Sequence, residues 1–185
     1  MVVGIGASAG GLNALLEFFE ALPAQISMAF VVVVGHLASY PVSNLTDLLQ
    51  KQTEMPVLQV TQPTAVEPAH VYLIAPSLDL TMVGGYLRVE PSQPEEGRRA
   101  AIDVFFRTLA EAHRERAIGI VLSGAGSDGS AGISRVKEMG GITFAQDPAE
   151  AEYDSMPRSA IATGMARLRA HRREDAAAAA RSVAD

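Results

Sequence analysis

A chain of 185 residues, 48% of them apolar, can bury a core as one domain without metal or disulfide staples, and its lack of cysteine excludes a disulfide framework and thiolate metal sites. The net charge of −6 lacks the basic footprint of a nucleic-acid binder, although Arg167, Arg169, His171, Arg172 and Arg173 make a local basic run. The apolar runs are far too short to span a bilayer and no charged segment with a following apolar stretch marks a leader, so the chain reads as soluble, without membrane insertion, and is expected in the cytoplasm.

Short β-branched runs alternate with segments of helical period, the pattern of βα units and a mainly parallel sheet. Val2 to Ile5 predicts a first strand. Leu12, Leu15, Leu16 and Phe19 follow at helical spacing until Pro23 closes the segment. Phe30 to Val34, almost continuously apolar, suits a central strand covered on both faces, and Leu45, Leu48 and Leu49 mark a second helix. Val57 to Val60 and Val71 to Ile74 predict two further strands joined by a loop with Pro63 and Pro68.

The glycine pair Gly84-Gly85 between Leu78 to Met82 and Tyr86 to Val89 signals a hairpin, so an antiparallel element interrupts the parallel order. Pro91 to Arg99 reads as a surface loop. Ile102, Phe105, Phe106 and Leu109 form a helical stripe, followed by a strand at Ile118 to Leu122 and a second glycine-rich strand-to-helix turn at Ser123 to Ser130. Ile142 to Ala145 predicts another strand, and Met156-Pro157-Arg158 opens a last short helix. Residues 1–166 are read as the globular domain and 167–185 as a helix-prone tail or linker.

In open parallel sheets the ligand crevice lies outside the carboxyl ends of the strands, so polar residues directly after strands are the candidates for chemistry. Ser8 in Gly6-Ala7-Ser8-Ala9-Gly10, His36 after the second strand, and Asp128 in the later glycine-rich turn satisfy that condition. A serine hydroxyl needs a base, and an imidazole oriented by a carboxylate can serve. These three supply each role once.

Other readings stay open at this point. Ser8 also suits the start of a helix, and Asp128 an ordinary turn before Gly129. Asp147 and Asp79 compete as the acid, while His70, His113 and His171 are less well placed than His36. Gly4-x-Gly6-x-x-x-Gly10 after a strand also suggests a dinucleotide cradle, but its spacing departs from G-x-G-x-x-G, and the position that usually holds a ribose-binding acid carries Gly35 and His36. No metal site and no cofactor are expected.

A set of blocks resembles one family throughout: Gly6-Ala7-Ser8-Ala9-Gly10-Gly11, His36-Leu37, His70-Val71-Tyr72-Leu73-Ile74-Ala75-Pro76, Ile102-Asp103-Val104-Phe105-Phe106, Leu122-Ser123-Gly124-Ala125-Gly126-Ser127-Asp128-Gly129, Ala145-Gln146-Asp147 and Met156-Pro157-Arg158-Ser159-Ala160-Ile161. In this order they resemble the catalytic domain of the CheB-type chemotaxis receptor methylesterases, the protein-glutamate methylesterases. The resemblance implies a doubly wound α/β domain, with helices on both faces of the sheet and an antiparallel hairpin. It also implies hydrolysis of γ-glutamyl methyl esters on the cytoplasmic helices of methylated chemoreceptors, releasing methanol, sometimes with glutamine deamidation.

By position, Ser8 resembles the nucleophile, His36 the base and Asp128 the orienting acid, with the backbone amides of Ala9 and Ala125 as oxyanion donors. Where the family commonly has glutamine before the histidine and methionine or threonine in the later loop, this chain has Gly35 and Ala125. With Met1 directly before the first strand, the segment most resembles methylesterase-like modules fused to methyltransferase and sensor-kinase chains. Such chains are then expected partners, and a non-catalytic module regulating them is the alternative function. Arg98, Arg99 and Arg158 are candidates for steering an acidic receptor helix.

Overall fold

In the computed structural model, the described residues are 1–23, 26–35, 42–75, 78–92 and 100–169. Seven parallel strands form the main sheet: β1 Val2–Ala7, β2 Ala29–Val34, β3 Val57–Val60, β5 Val71–Ile74, β8 Ala117–Val121, β9 Ile142–Gln146 and β10 Arg167–Arg169. Their spatial order is β10-β9-β8-β1-β2-β5-β3. A smaller antiparallel sheet, ordered β4-β7-β6, is built from β4 Thr64–Ala65, β6 Leu78–Val83 and β7 Tyr86–Pro91. Its hairpin turns at Gly84 and Gly85, both at positive φ, as the glycine pair predicts.

The period of two along each strand divides the core into two layers. Val3, Ile5 and Ala7 of β1 pack with Phe30 and Val32 of β2 towards helices α1 (Gly11–Glu20) and α2 (Val42–Gln50). Val31 and Val33 of β2 face the opposite layer, with α3 (Ala101–His113), α4 (Ser130–Glu138) and α5 (Ser155–Ala162). With both faces covered, β2 is buried almost throughout, which explains its near-continuous apolar run. This is the doubly wound α/β architecture expected from the sequence.

Helix α1 buries the Leu15 and Phe19 stripe, with Phe18 added, and Phe18, Phe19 and Phe30 meet edge to face. Helix α3 lies directly over β1. A β-carbon at Gly6 would sit 2.4 Å from Ile102 Cγ2, and one at Gly4 2.8 Å from Leu109 Cδ2. These glycines therefore let a helix approach the sheet closely. The hairpin covers the far side of α3 with Leu80, Met82 and Leu87, and the Met82 N–H donates to Thr108 Oγ1 at 3.0 Å.

The short stretch Arg167–Arg169, placed in the tail by the sequence reading, forms the edge strand paired with β9. Nothing apolar in Arg167-Leu168-Arg169 beyond one leucine announces a strand. Backbone pairing with an existing edge creates it.

Candidate active site

The strand order reverses between β1 and β8. The chain moves from β1 to β2 on one side, and β8, β9 and β10 fill the other, so the crevice beyond the carboxyl ends of β1 and β8 is the topological switch point. Ser8 leaves β1 there, and Ser123-Gly124-Ala125 leaves β8 beside it. The Ser8 N–H donates to the Ser123 carbonyl at 3.0 Å, and a β-carbon at Gly124 would lie 2.9 Å from Ser8 Cβ. Gly124 is further closed in by Met156 of α5, whose N–H donates to the Gly124 carbonyl.

The third wall comes from β2. The Gly35 N–H donates to the Ala7 carbonyl at 2.8 Å, and a β-carbon at Gly35 would stand 2.9 Å from Ser8 Oγ. Ser8 is 9% exposed and sits between two glycine-bearing strand ends. His36, the next residue after Gly35, lies outside the described residues, as do His171, Arg98 and Arg99.

Ser8 is not the cap of α1. That position belongs to Gly10, at φ 68° and with no side-chain capping bond, while the Ser8 carbonyl accepts from the Gly11 N–H at 2.9 Å. Gly10 is required twice over, by its left-handed backbone and by Glu152 and Tyr153 packed against its Cα. Helix α1 therefore starts close to Ser8 without a side-chain cap, a site where negative charge is favoured. Among the described residues, neither the Ala9 nor the Ala125 N–H donates to a backbone carbonyl.

The structure gives Asp128 a role that sequence reasoning missed. Its Oδ2 accepts from the Ile102 N–H at 3.1 Å and its Oδ1 from the Asp103 N–H at 2.9 Å, so it caps α3 from a distant loop. Asp103 in turn accepts from the Gly132 N–H at 2.7 Å and ties α3 to the start of α4. Burial raises the Asp128 pKa above the ordinary carboxylate value and outweighs the backbone hydrogen bonds from Asp103, Ile102 and Gly129, with the nearby Asp103 charge acting in the same direction as burial.

The competing acids are each engaged locally by one oxygen. Asp147 Oδ1 accepts from the Ala149 N–H at 2.8 Å within its own turn, and Asp79 Oδ1 accepts from Ser92 Oγ at 2.7 Å on the hairpin. His70 lies before β5, at the opposite end of the sheet from Ser8, and His113 ends α3. Arg158 is paired with Asp154 at 2.6 Å.

Sequence reasoning also missed Ser123 as a support. It is fully buried, its N–H donates to Gln146 Oε1 at 2.8 Å, and its hydroxyl donates to the Ala9 carbonyl at 3.1 Å. Its position at the end of β8, matching that of Ser8 after β1, was the available signal. Among the described residues no cluster of three His, Asp or Glu could hold a metal ion, and no helix is long and apolar enough to cross a membrane.

A doubly wound α/β fold with a serine raised at the switch point, between glycines that keep its hydroxyl uncrowded, defines the class of protein. The CheB methylesterase family model matches residues 3–179, and the chain belongs to that family of carboxylic ester hydrolases. It is 33% identical over 166 residues to a putative protein-glutamate methylesterase/protein-glutamine glutaminase of Leptospira interrogans, covering 85% of this chain and 81% of that one. It is 38% identical over 167 residues to protein-glutamate methylesterase/protein-glutamine glutaminase 1 of Cupriavidus pinatubonensis, of which it spans 48% while 89% of this chain is matched. An uncharacterized 104.1 kDa protein of Rhodobacter capsulatus is 42% identical over 123 residues, 65% of this chain and 12% of that one. The fold superimposes on the Thermotoga maritima CheB methylesterase catalytic domain with a TM-score of 0.82 at 26% identity, covering 95% of this chain and 94% of that one.

Proposed function

We propose that this chain hydrolyses glutamate γ-methyl esters on the cytoplasmic helices of chemoreceptors, with Ser8 as nucleophile, His36 as base and Asp128 as the acid that orients it. The observation that carries this reading is the contact between Ser8 and the end of β2. The strand end that leads into His36 passes close enough for a Gly35 β-carbon to touch Ser8 Oγ. His36 follows Gly35 directly in the chain, and in this reading its imidazole comes to the hydroxyl from that strand end and takes the proton.

In this mechanism His36 takes the Ser8 proton as Oγ bonds to the ester carbonyl carbon. Negative charge develops on the carbonyl oxygen, where the Ala9 and Ala125 amides donate, helped by the positive end of α1. The carbon–oxygen bond to the methoxy group breaks, His36 returns the proton, and methanol leaves. Water then gives its proton to His36 and attacks the glutamyl-enzyme, releasing glutamate and restoring the Ser8 hydroxyl. The same intermediate forms from glutamine with loss of ammonia, which is the second activity in the names of the relatives. This substrate puts the protein in the cytoplasm, and the methylated receptor is its partner, with a fused or partner methyltransferase or sensor kinase as a further one.

The deciding experiment measures methanol released from a methylated receptor cytoplasmic fragment. Wild type is expected to release it and Ser8→Ala to release none above background. Equal release by Ser8→Ala overturns the role given to Ser8, and no release by wild type overturns the activity.

A further inference from the structure

The segment between β9 and α5 sets one large exposed aromatic on the rim of the Ser8 turn. Tyr153 is 47% exposed, so its ring is available to a partner, with an apolar face and a polar hydroxyl of the kind enriched at interfaces. Its backbone, by contrast, is held at both ends by the two residues that wall Ser8 from β8. The Tyr153 N–H donates to Ser123 Oγ at 3.0 Å, and its carbonyl accepts from the Gly124 N–H at 3.0 Å.

The ring has a defined place as well. A β-carbon at Gly10 would stand 2.8 Å from Tyr153 Cδ2, so the ring lies against the first turn of α1, next to the amides that face Ser8. It has only two side-chain torsions to freeze, and its main chain is already ordered. A partner packing on it therefore loses little conformational entropy. The neighbouring charges do not supply an alternative anchor for an acidic segment, because Glu152 is itself acidic and Asp154 holds Arg158.

We infer that Tyr153 is a positioning residue for the macromolecular substrate. Its ring packs against the polypeptide segment that carries the ester, beside the reacting carbonyl rather than on it, and holds that segment over Ser8. The inference rests on the proposed esterase activity and adds the surface by which the site takes a protein in place of a small ester.

The test is steady-state methanol release from the methylated receptor fragment by wild type, Tyr153→Ala, Tyr153→Phe and Tyr153→Trp, each checked for an unchanged thermal midpoint. Tyr153→Ala is expected to raise KM about tenfold, as loss of an aromatic contact of hot-spot size does, with kcat within about twofold of wild type. The two aromatic variants are expected to keep KM near the wild-type value, and they keep the test decisive if the alanine variant is poorly folded. An unchanged KM in folded Tyr153→Ala overturns the inference while leaving the esterase reading intact, as does a KM raised in the aromatic variants as much as in the alanine variant. Absence of methanol release by wild type overturns both.

Discussion

Gly35 and Ser8 form a matched pair across the ends of two neighbouring strands: an ideal β-carbon on Gly35 would stand 2.9 Å from Ser8 Oγ and 3.2 Å from Ser8 Cβ. In its present rotamer the hydroxyl occupies the space that a β-carbon at position 35 would enter. Gly35→Ala is therefore expected to push the Ser8 side chain off its present rotamer and lower kcat by about 10²-fold, the scale of an ångström-sized misplacement of a reacting group. Methanol release kinetics check this, and a kcat equal to wild type would show that the hydroxyl does not work from this position.

Gly6 should be intolerant of substitution for a reason unconnected with chemistry. Its missing β-carbon is where Ile102 of α3 rests, at 2.4 Å, so Gly6→Ala is expected to destabilise the fold by about 1–3 kcal/mol through overpacking. In a urea-unfolding double-mutant cycle, Ile102→Ala should absorb part of that loss because it vacates the contested space. Strict additivity of the two changes would place the strain elsewhere.

Asp128 is predicted to matter for stability as well as turnover. Asp128→Ala removes the cap of α3 and should cost about 1–2 kcal/mol in chemical denaturation, with Asp128→Asn losing less because one acceptor oxygen remains. Since burial raises its folded pKa, the folded chain keeps this proton to higher pH than the unfolded chain does. Stability from this group is greatest below its ordinary pKa and declines as pH rises through the raised one. The stability of wild type relative to Asp128→Asn should accordingly fall across that acid window and level off above it.

His113 carries the opposite sign. Among the described residues its buried Nε2 has no hydrogen-bond partner, and burial, then the charges of Arg116 and the amino terminus, hold its pKa below the usual imidazole value. When the pH drops past about 6.5 the unfolded chain binds a proton that the folded chain resists, so stability is full above that value and lost as pH falls towards the lowered pKa. His113→Leu should flatten this part of the profile, measured as urea midpoints at about pH 5 and about pH 8. A slope that survives the substitution would assign the acid sensitivity to another group.

Much of the fold was legible in the sequence because its signals are local. The continuous apolar run at β2 reports burial on both faces, Gly84-Gly85 reports a hairpin, and the glycine-rich turns after β1 and β8 report where a sheet edge opens. The position of Ser8 after the first strand belongs to the same class of information. Tyr153 left no comparable mark, since an aromatic in a loop reads the same whether it lines a rim or fills a gap. Arg167–Arg169 left none either, because pairing with β9 makes it a strand.

The sequence by itself determined most of the order of strands and helices, the serine turn and the family, all of which follow from periodicity, turn chemistry and short motifs. Only the tertiary structure decided what the glycines and the aspartate are for. Gly4 and Gly6 look like a phosphate cradle in one dimension and prove to be the bed of α3. Asp128 looks like a turn residue and proves to cap a helix whose first amides lie 25 and 26 positions away in the chain. A capping bond or a close helix approach depends on which surfaces the fold brings within a few ångströms, and no local pattern encodes that distance.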